Sequence, residues 1–132
     1  MSSYQGIYAE HIFIVACLSR GMHIYNPIAD VNGVDFIIQS SSVDFIRVQV
    51  KSTSVEKSNR AGTFQINCRK GFNCTSYTSE FDICACYLIA LDMWYFIPIA
   101  MLNKTTIGIN PDNPNCKYND YKNRFDLLTA KQ

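Results

Sequence analysis

The sequence predicts a single α/β domain in which a central mixed β-sheet is flanked by helices. Three observations support this fold class. An apolar helical segment near the start of the chain precedes two adjacent strand-like segments, 33–38 and 43–52, and a strongly apolar strand-like segment follows at 82–91. A chain of 132 residues is long enough for one domain with one core. Apolar residues make up 48% of the chain, which indicates a folded domain rather than a disordered one.

The first predicted element is a helix over residues 4–20. Apolar side chains recur through this segment, and Gly21 follows at the position where glycine commonly ends a helix. Residues 12–18 are apolar on nearly every side, a pattern typical of a helix that is covered on both sides. We expect one side to pack on the sheet, and the other side is suited to a second subunit. Glu10 shares a helical face with Phe13, and on periodicity alone a solvated surface charge explains Glu10 equally well.

Residues 33–38 and 43–52 form a predicted hairpin. Both segments are rich in β-branched and aromatic residues, and a run of serines between them supplies the turn. Side chains two positions apart on a strand share a face, so Gln49 and Lys51 lie side by side. Pairing of the two strands brings Asp35 close to them. A carboxylate, an amide and an ammonium group on otherwise apolar strands are costly to bury without a functional reason or a partner.

The remaining predicted elements complete the sheet and close the chain. They are a short strand at 23–25, a third strand of the sheet at 63–68, a strand at 94–99, a short strand at 105–109 and a closing helix at 118–129. Basic residues lie on both sides of the strand 63–68, namely Lys57 and Arg60 before it and Arg69 and Lys70 after it. They are candidates for contacts to phosphate groups, and a solvated loop and turn explain them equally well.

Charge, hydropathy and cysteine content limit the class of protein. The net charge of +1 does not by itself indicate nucleic-acid binding, although a local basic patch suffices for it. Residues 1–20 lack the basic start of a signal peptide and no apolar run is long enough for a membrane span, so we expect a reduced, cytoplasmic protein without membrane association. A zinc site formed by Cys68, Cys74, Cys84 and Cys86 is a less favoured alternative, because two of these cysteines lie inside a strand rather than on a tight turn.

Taken in order along the chain, these residues resemble the PD-(D/E)XK nuclease superfamily. In that superfamily an acidic residue on one strand of a hairpin precedes an acid-X-Lys triplet on the next strand. Asp35 matches the first acid, and Gln49-Val50-Lys51 matches the triplet with Gln in place of the acid. Glu10 matches the helical glutamate of the archaeal Holliday junction resolvase branch, and the Q-x-K variant is similar to that of the cyanobacterial group I intron homing endonucleases. The resemblance covers about residues 5–98.

The resemblance implies a restriction-endonuclease-like core and a metal-dependent endodeoxyribonuclease that acts on double-stranded or branched DNA. The implied cofactor is Mg²⁺, with Mn²⁺ as a substitute. The implied catalytic residues are Glu10, Asp35, Gln49 and Lys51. The implied metal ligands are Asp35, Glu10, Gln49 and the backbone carbonyl of Val50. The implied DNA contacts are Ser52, Lys57, Arg60, Arg69 and Lys70.

Several alternatives stay open at this point. A symmetric target or a four-way junction requires two active sites, so the resemblance implies a homodimer or a homotetramer. Homing or restriction-like cleavage is not separated from Holliday junction resolution by these residues. The fold also suits a non-catalytic nucleic-acid-binding domain, and a structural domain with a coincidental triplet is the remaining possibility.

Overall fold

The computed structural model describes residues 3–29, 33–54, 61–68, 81–102 and 106–129. The chain forms one α-helix and seven strands in these ranges, together with four short 3₁₀ helices. The α-helix is α1, Ser3–Ser19, and the strands are β1 His23–Tyr25, β2 Phe36–Gln39, β3 Phe45–Thr53, β4 Phe64–Asn67, β5 Ile83–Leu88, β6 Met93–Pro98 and β7 Thr106–Ile109. Among the described helices, none has both the length and the hydrophobicity that crossing a membrane requires.

Five strands form a mixed sheet in the order β1-β2-β3-β5-β6. β3 runs parallel to β5, and the other neighbours are antiparallel. All residues of β5 are buried, because this strand lies inside the sheet and both of its faces are covered. The predicted central mixed sheet is therefore confirmed, and α1 provides the helix that packs on it.

The predicted strand at 63–68 exists, but its place in the main sheet was wrong. β4 pairs with β7 in a separate two-stranded antiparallel ribbon. The neighbours of β3 in the main sheet are β2, which pairs with Phe45–Val48, and β5, which pairs with Val48–Thr53. The alternating burial of β4 suits an element with one covered and one solvated face, and the ribbon accordingly covers the sheet from outside.

The core consists of two apolar layers, one on each face of the sheet. On one face, α1 buries Phe13, whose ring centroid lies 5.4 Å from that of Phe36 and 5.5 Å from that of Trp94. On the other face, the ribbon buries Phe64 and Ile66 in one cluster with residues of β5 and β6. The protein therefore has three layers, with the sheet between α1 and the ribbon.

The predicted closing helix at 118–129 is wrong. Two 3₁₀ helices, Lys117–Tyr121 and Phe125–Leu128, replace it. Asn123 separates them with a φ of 54°, a left-handed conformation that asparagine tolerates better than most residues. The Asn123 backbone N–H donates to the Trp94 carbonyl oxygen at 2.7 Å, and its side-chain oxygen accepts from the Trp94 N–H at 3.1 Å. This pairing with β6 uses backbone groups that a continuous α-helix would need.

Candidate active site

The second half of β3 extends beyond the end of its neighbour β2. The pairing of these two strands ends at Phe36 and Val48. Asp35 precedes β2, and its Oδ2 accepts a hydrogen bond from the Val50 backbone N–H at 2.7 Å. The carboxylate thus takes the place of a strand carbonyl at this edge of β3. Since the N–H and C=O of one strand residue point to the same edge, the Val50 carbonyl points to the edge where the Asp35 carboxylate lies.

Gln49 and Lys51 lie on the face of β3 that is opposite to α1. Gln49 stands beside Cys84 of β5, and Lys51 stands beside Cys86. Gln49 is only 4% exposed, and its side-chain Oε1 has no hydrogen-bond partner among the described residues. A buried acceptor without a partner costs about 1–3 kcal/mol. A buried polar atom of this kind calls for a physical explanation, and a ligand in the neighbouring cavity would supply one.

A polar cavity of about 540 Å³ is lined by all four residues that the family resemblance implied as catalytic. Its lining includes Glu10 from α1, Asp35 before β2, and Gln49 and Lys51 from β3. Glu10, Asp35 and Lys51 are half-buried, so they are accessible to a ligand while being held by the surrounding fold. Val50 also lines this cavity. The predicted metal ligands and catalytic groups are therefore neighbours in space.

Ser52 also lines the cavity and is positioned by the start of α1. The Gln5 amide nitrogen donates to the Ser52 hydroxyl oxygen at 3.3 Å and to the Ser52 carbonyl oxygen at 3.4 Å. In this arrangement the serine hydroxyl keeps its proton for donation to another acceptor. The other predicted DNA contacts lie outside the described residues and stay predictions; they are Lys57, Arg60, Arg69 and Lys70.

Seven further polar or small residues of the cavity were not assigned to the site from the sequence. They are Gln5 and Gly6 of α1, Gln65 and Asn67 of β4, and Gly33, Thr53 and Ser54. Gly6 lies four residues before Glu10 and therefore on the same helical face, which is a signal that the sequence does contain. Gln65 and Asn67 occupy the polar positions of an alternating strand, and only the position of the ribbon above the sheet brings them to the cavity.

A second aspartate fixes the opposite edge of β3. The Asp82 Oδ2 accepts from the Arg47 backbone N–H at 2.8 Å, and the two side chains form an ion pair at 3.2 Å. The Asp82 N–H in turn donates to the Arg47 carbonyl oxygen at 2.9 Å. These bonds hold the start of β5 against β3. They therefore fix the register in which Gln49 and Lys51 lie beside the cysteines of β5.

Three cysteines meet in the layer between the ribbon and the sheet. The Sγ atoms of Cys68, Cys84 and Cys86 lie within 4.8 Å of one another, and all three residues are buried. Hydrogen bonds from Cys84 and Cys86 lower the pKa of the Cys68 thiol to about 5, against the opposing effect of burial. The described residues supply three sulfur ligands, whereas structural zinc sites use four. Cys74, the fourth cysteine of the zinc alternative, lies outside the described residues.

Comparison with known proteins identifies the fold and the family of this chain. The solved structure of a bacterial homing endonuclease, I-Ssp6803I, is similar with a TM-score of 0.77 and a sequence identity of 20%, over 98% of this chain and 93% of the other. At this identity the similarity establishes the fold, and it confirms the expected restriction-endonuclease-like core. No curated protein matches the chain significantly. The model of the PD-(D/E)XK endonuclease family matches residues 2–128. The chain therefore belongs to the PD-(D/E)XK endonuclease family.

Proposed function

We propose that this endonuclease hydrolyses DNA phosphodiester bonds at the cavity beside β3, with Mg²⁺ as its cofactor and Mn²⁺ as a substitute. The observation that carries the proposal is the buried Gln49 Oε1, which has no partner among the described residues although it lies in a cavity with two carboxylates. An oxygen atom in that position is suited to coordinate a cation, and coordination would remove the cost of its burial.

The donor set of the cavity fits a hard divalent cation. The carboxylates of Glu10 and Asp35, the amide oxygen of Gln49 and the carbonyl of Val50 offer oxygen atoms only, and Mg²⁺ and Mn²⁺ prefer oxygen ligands. Asp35 is already oriented by the Val50 N–H at 2.7 Å, which lowers the entropic cost of binding. When bound, the cation favours deprotonation of the attacking water and offsets charge on the phosphate.

The side chains around this position divide the remaining tasks. Lys51, beside Gln49 on the same face of β3, holds the attacking water through its ammonium group and stabilises the negative charge that develops on the phosphate. The Gln49 amide is held on a buried strand, so its oxygen has a defined direction. The Ser52 hydroxyl, positioned by Gln5, donates to a phosphate oxygen.

Glutamine in place of the usual acid removes one negative charge from this site. It keeps an oxygen donor of nearly the same reach. Glu10 and Asp35 therefore supply the negative charge that attracts the cation, and we expect weaker metal binding than in a site with a third carboxylate.

The proposed substrate is double-stranded or branched DNA, and the proposed assembly is a homodimer or a homotetramer. The outward side of α1 supports self-association, because it exposes a row of large apolar side chains at helical spacing. They are Tyr4, Ile7, Tyr8, Val15 and Leu18. The exposed His11 lies between Tyr8 and Val15 on this side of the helix. A large exposed apolar face indicates a protein interface, and a second copy of the chain packed there would supply the second active site that cleavage of both strands requires.

A cleavage assay on three DNA forms tests this function. We expect the purified chain to nick and linearise supercoiled DNA in Mg²⁺ or Mn²⁺ and to be inactive in EDTA. Lys51→Ala abolishes cleavage, whereas Lys117→Ala, which removes an exposed lysine outside the cavity lining, retains it. Preference for cruciform DNA over linear and supercoiled DNA would favour junction resolution. Binding without cleavage of any form in either metal would favour the non-catalytic domain and refute the proposal.

A further inference from the structure

The ribbon of β4 and β7 has one apolar face and one polar face. Phe64 and Ile66 are buried against the sheet, whereas Gln65 and Asn67 point away from it and are exposed. On the neighbouring strand, Gly108 is opposite Gln65, and Thr106 is opposite Asn67. We use the term outer face for the side of the ribbon that carries these four residues. The outer face is continuous with the proposed catalytic centre, because Gln65 and Asn67 line the same cavity.

The chemistry of the outer face differs from that of a phosphate-binding surface. Its described side chains are two amides and one hydroxyl, and none of them is charged. Affinity for the DNA backbone comes mainly from Lys and Arg. Glutamine and asparagine, in contrast, are the side chains that form paired hydrogen bonds with the edge of adenine, and threonine contacts bases through its hydroxyl or methyl group. An uncharged amide surface beside a site of phosphodiester cleavage therefore suits base recognition.

Two local features prepare the outer face for an approaching base pair. The Thr106 Oγ1 donates to the Asn67 Oδ1 at 3.0 Å, which orients the asparagine amide so that its NH₂ group points to a different partner. Gly108 presents no side chain next to Gln65. A Cβ atom at Gly108 would lie 3.3 Å from the Thr63 Cγ2, so a larger residue would crowd the ribbon as well as the space beside Gln65.

We propose that the outer face of the ribbon enters the major groove of the substrate duplex beside the cleaved phosphate, where Gln65 and Asn67 recognise base edges with a preference for adenine. The inference rests on the proposed nuclease function and adds the determinants of its sequence specificity. A two-stranded ribbon fits the major groove, which is about 12 Å wide. Strands of four residues extend about 13 Å, which corresponds to about four base pairs.

Cleavage of a random duplex library tests the inference with the full chain. The library is digested in Mg²⁺, and the cut ends are sequenced. Wild type is expected to show a base preference at three to four adjacent positions beside the cut. Gln65→Ala and Asn67→Ala each reduce this preference at one or two of those positions by roughly 5- to 150-fold, the range for one paired amide–base contact. Gln65→Glu shifts the preference toward cytosine, because a carboxylate accepts from the cytosine amino group but cannot donate to adenine.

The controls separate this inference from the nuclease function. Gln39→Ala removes an amide at the end of β2 that lies away from Asp35, and its cut sites should match those of wild type. Circular dichroism verifies that the exposed substitutions leave the fold intact. If wild type, Gln65→Ala and Asn67→Ala all show the same base preference beside the cut, the recognition role is overturned and the nuclease proposal stands. A library left uncut by wild type would overturn the nuclease proposal and the recognition role together.

Discussion

Replacement of Gln49 by methionine is expected to make the protein more stable and inactive at the same time. The Gln49 Oε1 is buried without a partner among the described residues, and such an acceptor costs about 1–3 kcal/mol. Methionine has a similar length and fills the same space without a polar atom. Gln49→Met should therefore raise the free energy of unfolding in EDTA by about 1–3 kcal/mol. For a domain of this size each kcal/mol corresponds to a rise in Tm of about 3–5 °C.

The same substitution should weaken the response of the protein to metal. A cation at ten times its Kd stabilises the wild-type fold by about 1.4 kcal/mol, and loss of the Gln49 oxygen reduces this gain. Thermal unfolding followed by circular dichroism, with and without Mg²⁺, measures both effects. Gln39→Met is the matched control, because the Gln39 Oε1 already accepts from the Tyr25 hydroxyl at 2.7 Å and its loss brings no stabilisation. A Gln49→Met protein that melts below wild type in EDTA, with an undiminished gain from Mg²⁺, would refute the role of the unpaired oxygen.

Three further changes test the site and the core. Gln49→Glu should keep at least part of the cleavage activity because it keeps an oxygen ligand, whereas Gln49→Ala should lower the cleavage rate strongly. If cleavage rates measured in Mg²⁺ are higher for Gln49→Ala than for Gln49→Glu, Gln49 is not a metal ligand. Lys51→Ala should stop cleavage while DNA affinity is largely retained. Joint replacement of Lys57 and Arg60 by alanine should weaken DNA binding and flatten its salt dependence. An equal loss of DNA binding in both proteins would show that catalysis by Lys51 and DNA binding by Lys57 and Arg60 are not separate roles. Phe13→Ala should lower the free energy of unfolding measured by chemical denaturation by about 3–5 kcal/mol, because this ring is fully buried between α1 and the sheet. A loss no larger than that caused by an alanine substitution at an exposed position of α1 would contradict the packing described.

Local periodicity was enough to predict the part of the site that lies on one strand. Side chains alternate between the faces of any strand, so the sequence alone predicts that Gln49 and Lys51 share a face of β3. Alternation likewise predicts the strand character of β4, and the helical recurrence of apolar residues before Gly21 predicts α1. The order of an acid, a hairpin and the Gln-X-Lys triplet indicated the family, because these features depend on short-range spacing.

Non-local pairing decided what the sequence left open. Whether β4 joins the main sheet depends on which strand it pairs with, and its partner is β7 rather than a strand of that sheet. Whether residues 118–129 form a helix depends on Asn123, whose hydrogen bonds with the Trp94 backbone compete with helical ones.

The final composition of the cavity is likewise a property of the tertiary structure. Glu10 and Asp35 could be predicted from the sequence as site residues by resemblance, but their approach to β3 requires α1 and β2 to dock at that edge. Gln65 and Asn67 reach the cavity only because the ribbon covers the sheet beside it. The sequence by itself determined which chemical groups are present and which strand face they occupy, since both follow from local geometry. The tertiary structure alone decided that the Gln49 oxygen is buried without a partner among the described residues, since burial depends on contacts between residues that are distant along the chain.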